Sequence, residues 1–218
     1  VAGIETTLNL IAPLLHLIVF SRSRPLQLDG YLASLQRWLR DAHRVQVTVL
    51  LHTDELYRAA YAQVQAEAPG WVTFREQEDF AATLRDVVRT TDAPLTGFGV
   101  DDAMFIGPVR PSLAAAAFEA TPPLLGYSLR LGRNVRANMF HGPQPQPAFI
   151  NTFLYNKSHI DLLWEATAAD AVGDWGYPWE LVGTLYRTAF VRTFVDQLTQ
   201  ASLVQTPNLL EYYGALHW

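Results

Sequence analysis

The sequence predicts one α/β domain, a three-layer α/β/α sandwich whose central sheet is mostly parallel. The first observation is that short apolar runs alternate with amphipathic segments from His16 to Leu131, as in repeated βαβ units. The second is that the chain has 218 residues, of which 50% are hydrophobic and 17% charged, as in a globular domain with a substantial core. We therefore treat residues 1–218 as a single domain.

Apolar runs rich in β-branched residues predict the strands of this sheet. They are His16–Ser21, Val45–Leu51, Trp71–Arg75, Leu95–Val100 and Leu124–Leu131. The stretch from Leu8 to Phe20 is too short to span a bilayer, and Asn9, Pro13 and His16 interrupt it. We interpret it as a short helix, a break at Pro13 and a buried strand, without the features of a signal peptide.

Helices are predicted between these strands. Pro25 and Pro111 stand where proline favours a helix start, and Thr53 or Asp54 can cap a helix that ends before Pro69. Asp79 can cap the helix that carries Phe80, Leu84, Val87 and Val88 on one face.

A proline-rich loop, Gly142–Pro147, separates this repeating part from a different C-terminal third. That third is expected to hold a strand at Phe149–Tyr155, a helix from about Trp179 to Thr199 and a last helix after Pro207.

Composition excludes several classes of function. A net charge of -5 without a basic face argues against nucleic acid as a partner. The small basic clusters Arg22–Arg24 and Arg130–Arg136 suit a phosphorylated small molecule. The absence of cysteine excludes disulfides, thiolate metal sites and a cysteine nucleophile, and it is compatible with a cytoplasmic location. The chain also lacks a G-x-G-x-x-G motif after the first strand, a P-loop and a nucleophile elbow.

The pair Asp101-Asp102 follows an apolar strand and is the first candidate site. Ligands of parallel α/β sheets bind at the carboxyl ends of the strands. Two adjacent carboxylates there are costly unless something neutralises them, and a divalent cation such as Mg²⁺ or Mn²⁺ would do so while also holding a diphosphate. The alternative is that one aspartate caps a turn and the other faces water.

Two other strand ends carry polar residues. Ser21–Arg24 offers hydroxyls, arginines and free N–H groups at a helix start, which suit phosphate, although a solvated loop is the alternative. After the third strand, Glu78 is a candidate acceptor for a base or ribose, beside Glu76 and the capping residue Asp79.

The C-terminal candidates are Arg130, Asp174 and Glu180. Arg130 lies in SLRLGRN and could contact phosphate or sugar. Asp174 and Glu180 flank Trp175, Tyr177 and Trp179, and aromatic rings beside carboxylates are a common way to bind sugar. One carboxylate could act as a general base for a hydroxyl. Burial of the aromatic rings as a structural anchor is the alternative.

Taken together, these segments resemble glycosyltransferases of the A-type (GT-A) fold, in particular bacterial family-two-like members. The matching pieces, spread from about Leu17 to Glu211, are IVFSRSRPLQLDGYLASL, VTVLLHT, FGVDDAMFI, SLRLGRN, DWGYPWELVGTLYR and TPNLLE.

The resemblance implies a sugar transfer from a nucleotide-sugar donor to a glycan or other hydroxyl acceptor. It divides the domain into a nucleotide-binding half at about 14–140 and an acceptor half at about 148–218. Phe20, Ser21 and Arg24 would lie near the nucleotide. Asp101 and Asp102 would face the metal and phosphates, in the place of the family's Asp-x-Asp motif, and Asp174 or Glu180 would be the base.

This sequence departs from that pattern in two places. The motif reads VDDAMF, with Ala103 where a third acid would stand, so the metal would rest mainly on Asp102 and Asp101 would contact the ribose or sugar. The stretch before Gly183 has Val182 in place of an acid. Both departures leave a non-catalytic nucleotide- or glycan-binding domain as the alternative. A phosphotransferase is disfavoured, because its aspartate nucleophile would stand where the chain has Ser21-Arg22.

Overall fold

The computed structural model describes residues 12–138, 142–156, 159–202 and 204–217. The helix predicted before Pro13 lies outside the described residues. The strands are β1 (Leu15–Arg22), β2 (Val45–His52), β3 (Val72–Glu76), β4 (Leu95–Val100), β5 (Gly126–Ser128), β6 (Ala137–Asn138), β7 (Gly142–Pro143), β8 (Phe149–Asn156), β9 (His159–Trp164) and β10 (Thr184–Arg187). The α-helices are α1 (Pro25–Trp38), α2 (Glu55–Glu67), α3 (Phe80–Thr90), α4 (Pro111–Ala120), α5 (Thr188–Gln200) and α6 (Pro207–Leu216).

Within the described residues, six strands form the main sheet in the order β3-β2-β1-β4-β10-β5. The first four of these pair in parallel, whereas β10 is antiparallel to both β4 and β5. Because β10 reverses the direction once and β5 reverses it again, β5 runs the same way as β4. The carboxyl ends of β1, β2, β3, β4 and β5 therefore share one edge of the sheet.

Alternate side chains of the central strands enter two separate cores, one on each face of the sheet. Val19 and Val49 pack on one face with Tyr31 of α1 and Phe118 of α4. Ile18, Leu50 and Phe98 are among the residues that pack on the other face with helices α3, α5 and α6. This arrangement is the predicted three-layer sandwich with a mostly parallel sheet.

Close packing explains the glycine in the middle of β4. A Cβ atom added at Gly99 would stand 2.2 Å from the hydroxyl of Tyr31, which is itself buried. No side chain fits in that gap, so glycine lets α1 approach β4 and places the end of β4 beside α1.

The predicted helix from Trp179 to Thr199 is wrong in its first half. The chain instead forms β10, and only then the helix α5. Gly183 has φ +81, a left-handed conformation that breaks a helix, and the buried side chains of Leu185 and Tyr186 enter opposite cores. A helix could bury only one of these two faces here, whereas a strand between β4 and β5 buries both.

Other elements differ in extent. The strand predicted at Leu124–Leu131 is confined to β5, while the strand predicted at Phe149–Tyr155 is present as β8. Strand β9, which the sequence interpretation missed, pairs antiparallel with β8 to form a hairpin. Among the described residues, none of the helices has the length and apolar character needed to cross a membrane.

Candidate functional site

The site residues are gathered by the shared carboxyl edge of the sheet. Ser21 lies at the end of β1, Asp101 follows β4, and Arg130 follows β5. Since β10 separates β4 from β5, their ends lie roughly 10 Å apart at a strand spacing of about 4.8 Å. Both ends therefore lie within reach of one ligand of nucleotide-sugar size.

Asp101 is a buried carboxylate with fixed partners. Its side chain accepts a 2.8 Å hydrogen bond from the Ser21 hydroxyl, and its own backbone N–H donates to the carbonyl oxygen of Phe20. Ser21 has one hydroxyl proton, so the 2.7 Å contact between Ser21 and Tyr61 is a hydrogen bond that the Tyr61 hydroxyl donates. Three elements, β1, α2 and β4, thus hold one carboxylate in place.

Arg24 provides the cation for both aspartates. Its guanidinium lies 3.0 Å from the Asp102 carboxylate and 3.7 Å from that of Asp101, and its backbone N–H donates to the Tyr61 hydroxyl. Burial raises the pKa of Asp101, against the opposing effects of the Ser21 hydrogen bond and the Arg24 charge. The Asp102 side chain is 59% exposed, so it is the carboxylate of the pair that can meet a ligand in solvent.

Two carboxylates alone are a poor match for a bare divalent cation. Among the residues that the structure describes, no group of three or more His, Asp or Glu side chains could hold a metal ion. Mg²⁺ normally keeps several waters and combines one or two protein carboxylates with substrate phosphates. Asp102 and Asp101 fit this combination, in which two protein carboxylates bind the cation and the phosphates of the ligand supply further oxygens.

The Phe20 side chain lies in the core, whereas Glu78 lies just beyond the end of β3, as the sequence predicted. The Phe20 side chain is buried and stacks on Phe98 in the core, so only its backbone is near Asp101. Glu78 is exposed and lines a separate cavity of about 660 Å³, together with His52 and Asp79, at the ends of β2 and β3. As predicted, Asp79 caps α3, because its carboxylate accepts a 2.9 Å bond from the Ala82 N–H.

Arg130 forms one ion-pair cluster with Asp174 and Glu180, which the sequence predicted in a separate stretch. The Arg130 guanidinium lies 3.2 Å from the Asp174 carboxylate and donates at 3.0 Å to that of Glu180. Burial alone would lower the pKa of Arg130, but the charges and hydrogen bonds of the two carboxylates raise it. Arg130 therefore stays cationic between the two carboxylates.

The two carboxylates of this cluster differ in access. Glu180 is 4% exposed and also accepts a hydrogen bond from the Thr184 hydroxyl. The side chain of Gln144 makes two hydrogen bonds with Asp174. Its amide N–H donates to the other carboxylate oxygen, and its carbonyl oxygen accepts from the Asp174 backbone N–H. Burial would raise the pKa of Asp174, but hydrogen bonds from Asn138 and Arg130 are among the effects that outweigh it and lower that pKa.

A cavity of about 850 Å³ opens beside this cluster, and we call it the edge cavity. It lies along β5 and is lined by residues of β5, β8, β9 and the segment between Tyr177 and Thr184. Glu180 is among its lining residues, and Asp174 is absent from the described residues that line it. The edge cavity is large enough for a small-molecule ligand.

Sequence reasoning missed four residues of these sites. They are Tyr61, Gln144, Asp161 and Glu211. Asp161 lines the edge cavity and accepts a hydrogen bond from the Tyr127 hydroxyl. Glu211 accepts a hydrogen bond from the Leu181 N–H. Tyr61 looked like an ordinary apolar position of α2. The only signal for Glu211 was its place at the end of the matched piece TPNLLE.

The comparison with protein-family models gives no match. Among curated proteins, the bifunctional glycosyltransferase pgtA of Dictyostelium discoideum is 24% identical over 214 residues, which cover 92% of this chain but 28% of that protein. The chain thus spans less than a third of the length of this relative.

Solved structures share the fold. The structure of S. aureus TarS 1–349 in complex with UDP has a TM-score of 0.54 at 14% identity, covering 92% of this chain and 53% of that one. The TarS 1–349 complex with UDP-GlcNAc has a TM-score of 0.52 at 13% identity, covering 90% and 52%. These likenesses confirm the expected GT-A-type fold.

Proposed function

We propose that this domain transfers a sugar from a nucleotide-sugar donor to a hydroxyl acceptor. The observation that carries the proposal is the buried Asp101 carboxylate, fixed by Ser21 at the carboxyl end of a central strand in a GT-A-type fold. A buried charge is costly, so a fold keeps it where it has a use. The similarity to a curated glycosyltransferase and to structures with bound UDP and UDP-GlcNAc supports the same assignment.

In this proposal the half at about 14–140 binds the donor. Asp101 accepts hydrogen bonds from sugar or ribose hydroxyls, and Glu78 lies in the neighbouring cavity, where a base or ribose could bind. Arg24 and the N–H groups at the start of α1 face the diphosphate, whose negative charge they offset. The Arg24–Asp102 ion pair breaks when the Arg24 guanidinium pairs with the diphosphate.

A divalent cation, Mn²⁺ or Mg²⁺, would be held by Asp102, with Asp101 behind it and diphosphate oxygens completing its ligands. When bound, such a cation stabilises the negative charge of the departing nucleoside diphosphate. Asp102 is the stronger candidate of the pair because its side chain is exposed, whereas Asp101 is buried and already accepts from Ser21.

The half at about 148–218 receives the acceptor. For transfer with inversion, the acceptor oxygen attacks the anomeric carbon while the bond to the diphosphate breaks, and the hydroxyl proton passes to a carboxylate. We assign that carboxylate to Glu180, since it lines the edge cavity and Asp174 does not. Arg130 is a positioning residue that fixes the Glu180 carboxylate by donating hydrogen bonds to it.

A donor-hydrolysis assay tests the proposal, because many transferases slowly hydrolyse their donor. The protein is incubated with UDP-, GDP- and CDP-sugars and Mn²⁺, and released nucleoside diphosphate is measured. We expect release from one nucleotide class, and loss of release in Asp101→Asn but not in the control Asp92→Asn. Asp92 is exposed and precedes β4, at the opposite end of the strand from Asp101. Absence of nucleoside diphosphate release from every donor would contradict the proposed transferase activity.

The specific observation that favours a binding domain without turnover is the hydrogen bonding of Glu180. Thr184 and Arg130 donate to opposite oxygens of this carboxylate, so both oxygens already accept hydrogen bonds from within the protein. Together with Ala103 in the aspartate motif, this would suit a domain that holds a nucleotide or glycan only. Tight nucleotide binding without donor hydrolysis or transfer would favour that second function.

A further inference from the structure

We infer that the acceptor carries an apolar portion of several carbons, and that the edge cavity holds it. The inference rests on the proposed function and adds the chemical class of the acceptor. It excludes a purely polar oligosaccharide as the best acceptor and favours an alkyl or aryl compound that bears a hydroxyl or a sugar.

The walls of the edge cavity are mainly apolar. Leu124 and Leu131 line it near β5, and Leu162 and Trp164 of β9 line it from the hairpin. A hydroxyl-rich sugar would leave its polar groups without partners against such walls, at a cost in affinity. An aliphatic chain or an aromatic ring would gain affinity by burying its surface there.

Exposed apolar side chains also line the edge cavity. Ile150 is 65% exposed and Ile160 is 52% exposed, although large apolar side chains are normally buried. Both line the edge cavity, together with the partly exposed ring of Tyr177. An apolar ligand between them would cover surface that otherwise faces water.

Polar groups of the same cavity fix the orientation of the ligand. Glu180 and Ser128 line it where β5 and β10 meet, and Asp161 lines it from β9. Such a cavity, apolar in its walls and with a few fixed polar groups, is typical of a site for an amphiphilic small molecule. The acceptor hydroxyl would face Glu180, and the apolar portion would lie toward Ile150 and Ile160.

Calorimetric titration with octyl β-glucoside below its micelle concentration, against methyl β-glucoside, tests the inference. We expect the octyl compound to bind at least about tenfold more tightly, since burial of two methylene groups alone accounts for that factor. The double variant Ile150→Gln/Ile160→Gln should lose most of this advantage. The matched control is Ile106→Gln, because Ile106 is 89% exposed and is absent from the described residues that line the cavity.

Binding of UDP, GDP and CDP is measured in the same proteins, because it separates the two claims. Two results would overturn the inference while the proposed function stands, provided that a nucleotide binds. The first is equal binding of the octyl and methyl glucosides. The second is that the control variant weakens octyl binding as much as the double variant does. If no nucleotide binds, the proposed function fails, and the inference fails with it whatever the glucosides do. Nucleotide binding with an octyl advantage that only the double variant removes supports both.

Discussion

The hydroxyl of Ser21 donates a 2.8 Å hydrogen bond to the carboxylate of Asp101, 80 positions further along the chain. Parallel pairing places Phe20 opposite Val100, so the residues that follow the two strands meet at the same edge. The Tyr61 hydroxyl then bonds Ser21, and the Arg24 N–H bonds Tyr61. The candidate donor site is therefore a chain of hydrogen bonds that forms only when the sheet and both helices are in place.

Ser21→Ala should weaken both the fold and the site. The change removes the hydroxyl that joins the buried Asp101 carboxylate to the Tyr61 hydroxyl, so each of these groups loses one hydrogen bond, which costs about 1–3 kcal/mol. Chemical denaturation should show that loss, and nucleotide affinity should fall with it. Ser112→Ala is the matched control, because the exposed Ser112 hydroxyl donates to Asp41 near the surface. Equal stability of the two variants would contradict the proposed network.

Gly99→Ala should destabilise the protein by about 1–3 kcal/mol, because the new methyl group meets the buried Tyr31 hydroxyl and overpacks this core. Denaturant midpoints measure the loss. The control is Gly70→Ala, since a Cβ atom at Gly70 meets nothing within 4 Å. Double substitution Gly99→Ala/Tyr31→Phe should recover part of the loss. Failure to recover any would show that the clash lies elsewhere.

Acid should destabilise the protein through His16. This histidine is buried in β1, bonded to Thr48 at 2.8 Å, and burial lowers its pKa from 6.5 to about 4. The folded state thus binds fewer protons than the unfolded state, so stability is full above pH 6.5 and falls as the pH decreases toward 4. The loss amounts to about 3 kcal/mol.

His16→Gln should flatten the pH dependence of the unfolding free energy between pH 6.5 and 4, relative to the wild-type protein. His43→Gln, in which an exposed histidine is replaced, should leave the wild-type slope unchanged. Identical slopes for His16→Gln and the wild-type protein would contradict burial of a neutral imidazole.

Arg130→Gln should lower the stability by about 1–3 kcal/mol, because it removes a charged donor from the buried Glu180 carboxylate. The double variant Arg130→Gln/Glu180→Gln should be more stable than the sum of the two single changes predicts, since two amides need no countercharge. Arg136→Gln is the control, because the Arg136 side chain donates to the backbone carbonyl of Arg133 on the surface. Additive effects would show that the ion pair contributes nothing.

The parallel half of the fold could be predicted from the sequence because its signals are local. Buried strands such as Leu95–Val100 are continuous apolar runs, and helix starts carry proline or a capping residue such as Asp79. The pattern "strand, then carboxylate" was enough to select Asp101 and Asp102. The contact of both aspartates with Arg24 could be seen only in the structure, because it joins the ends of two different strands.

The C-terminal third could not be predicted as well, since its elements are decided by long-range packing. The apolar positions of Thr184–Arg187 continue the helical spacing of α5, yet this stretch completes the sheet between β4 and β5. The cluster of Arg130 with Asp174 and Glu180 depends on that insertion. The edge cavity also depends on β9, a strand that the sequence interpretation missed.

Nucleotide-dependent thermal stabilisation tests the central claim most directly. The melting temperature is measured with UDP, GDP and CDP, with and without Mn²⁺, for the wild-type protein, Asp101→Asn, Asp102→Asn and the control Asp92→Asn. We predict that one nucleotide raises the melting temperature of the wild-type and control proteins, that Mn²⁺ increases the shift, and that Asp102→Asn removes the Mn²⁺-dependent part. Asp101→Asn should remove the whole shift without lowering the melting temperature of the free protein. No nucleotide shift in the wild-type protein, or an undiminished shift in Asp101→Asn, would contradict a donor site at this edge of the sheet.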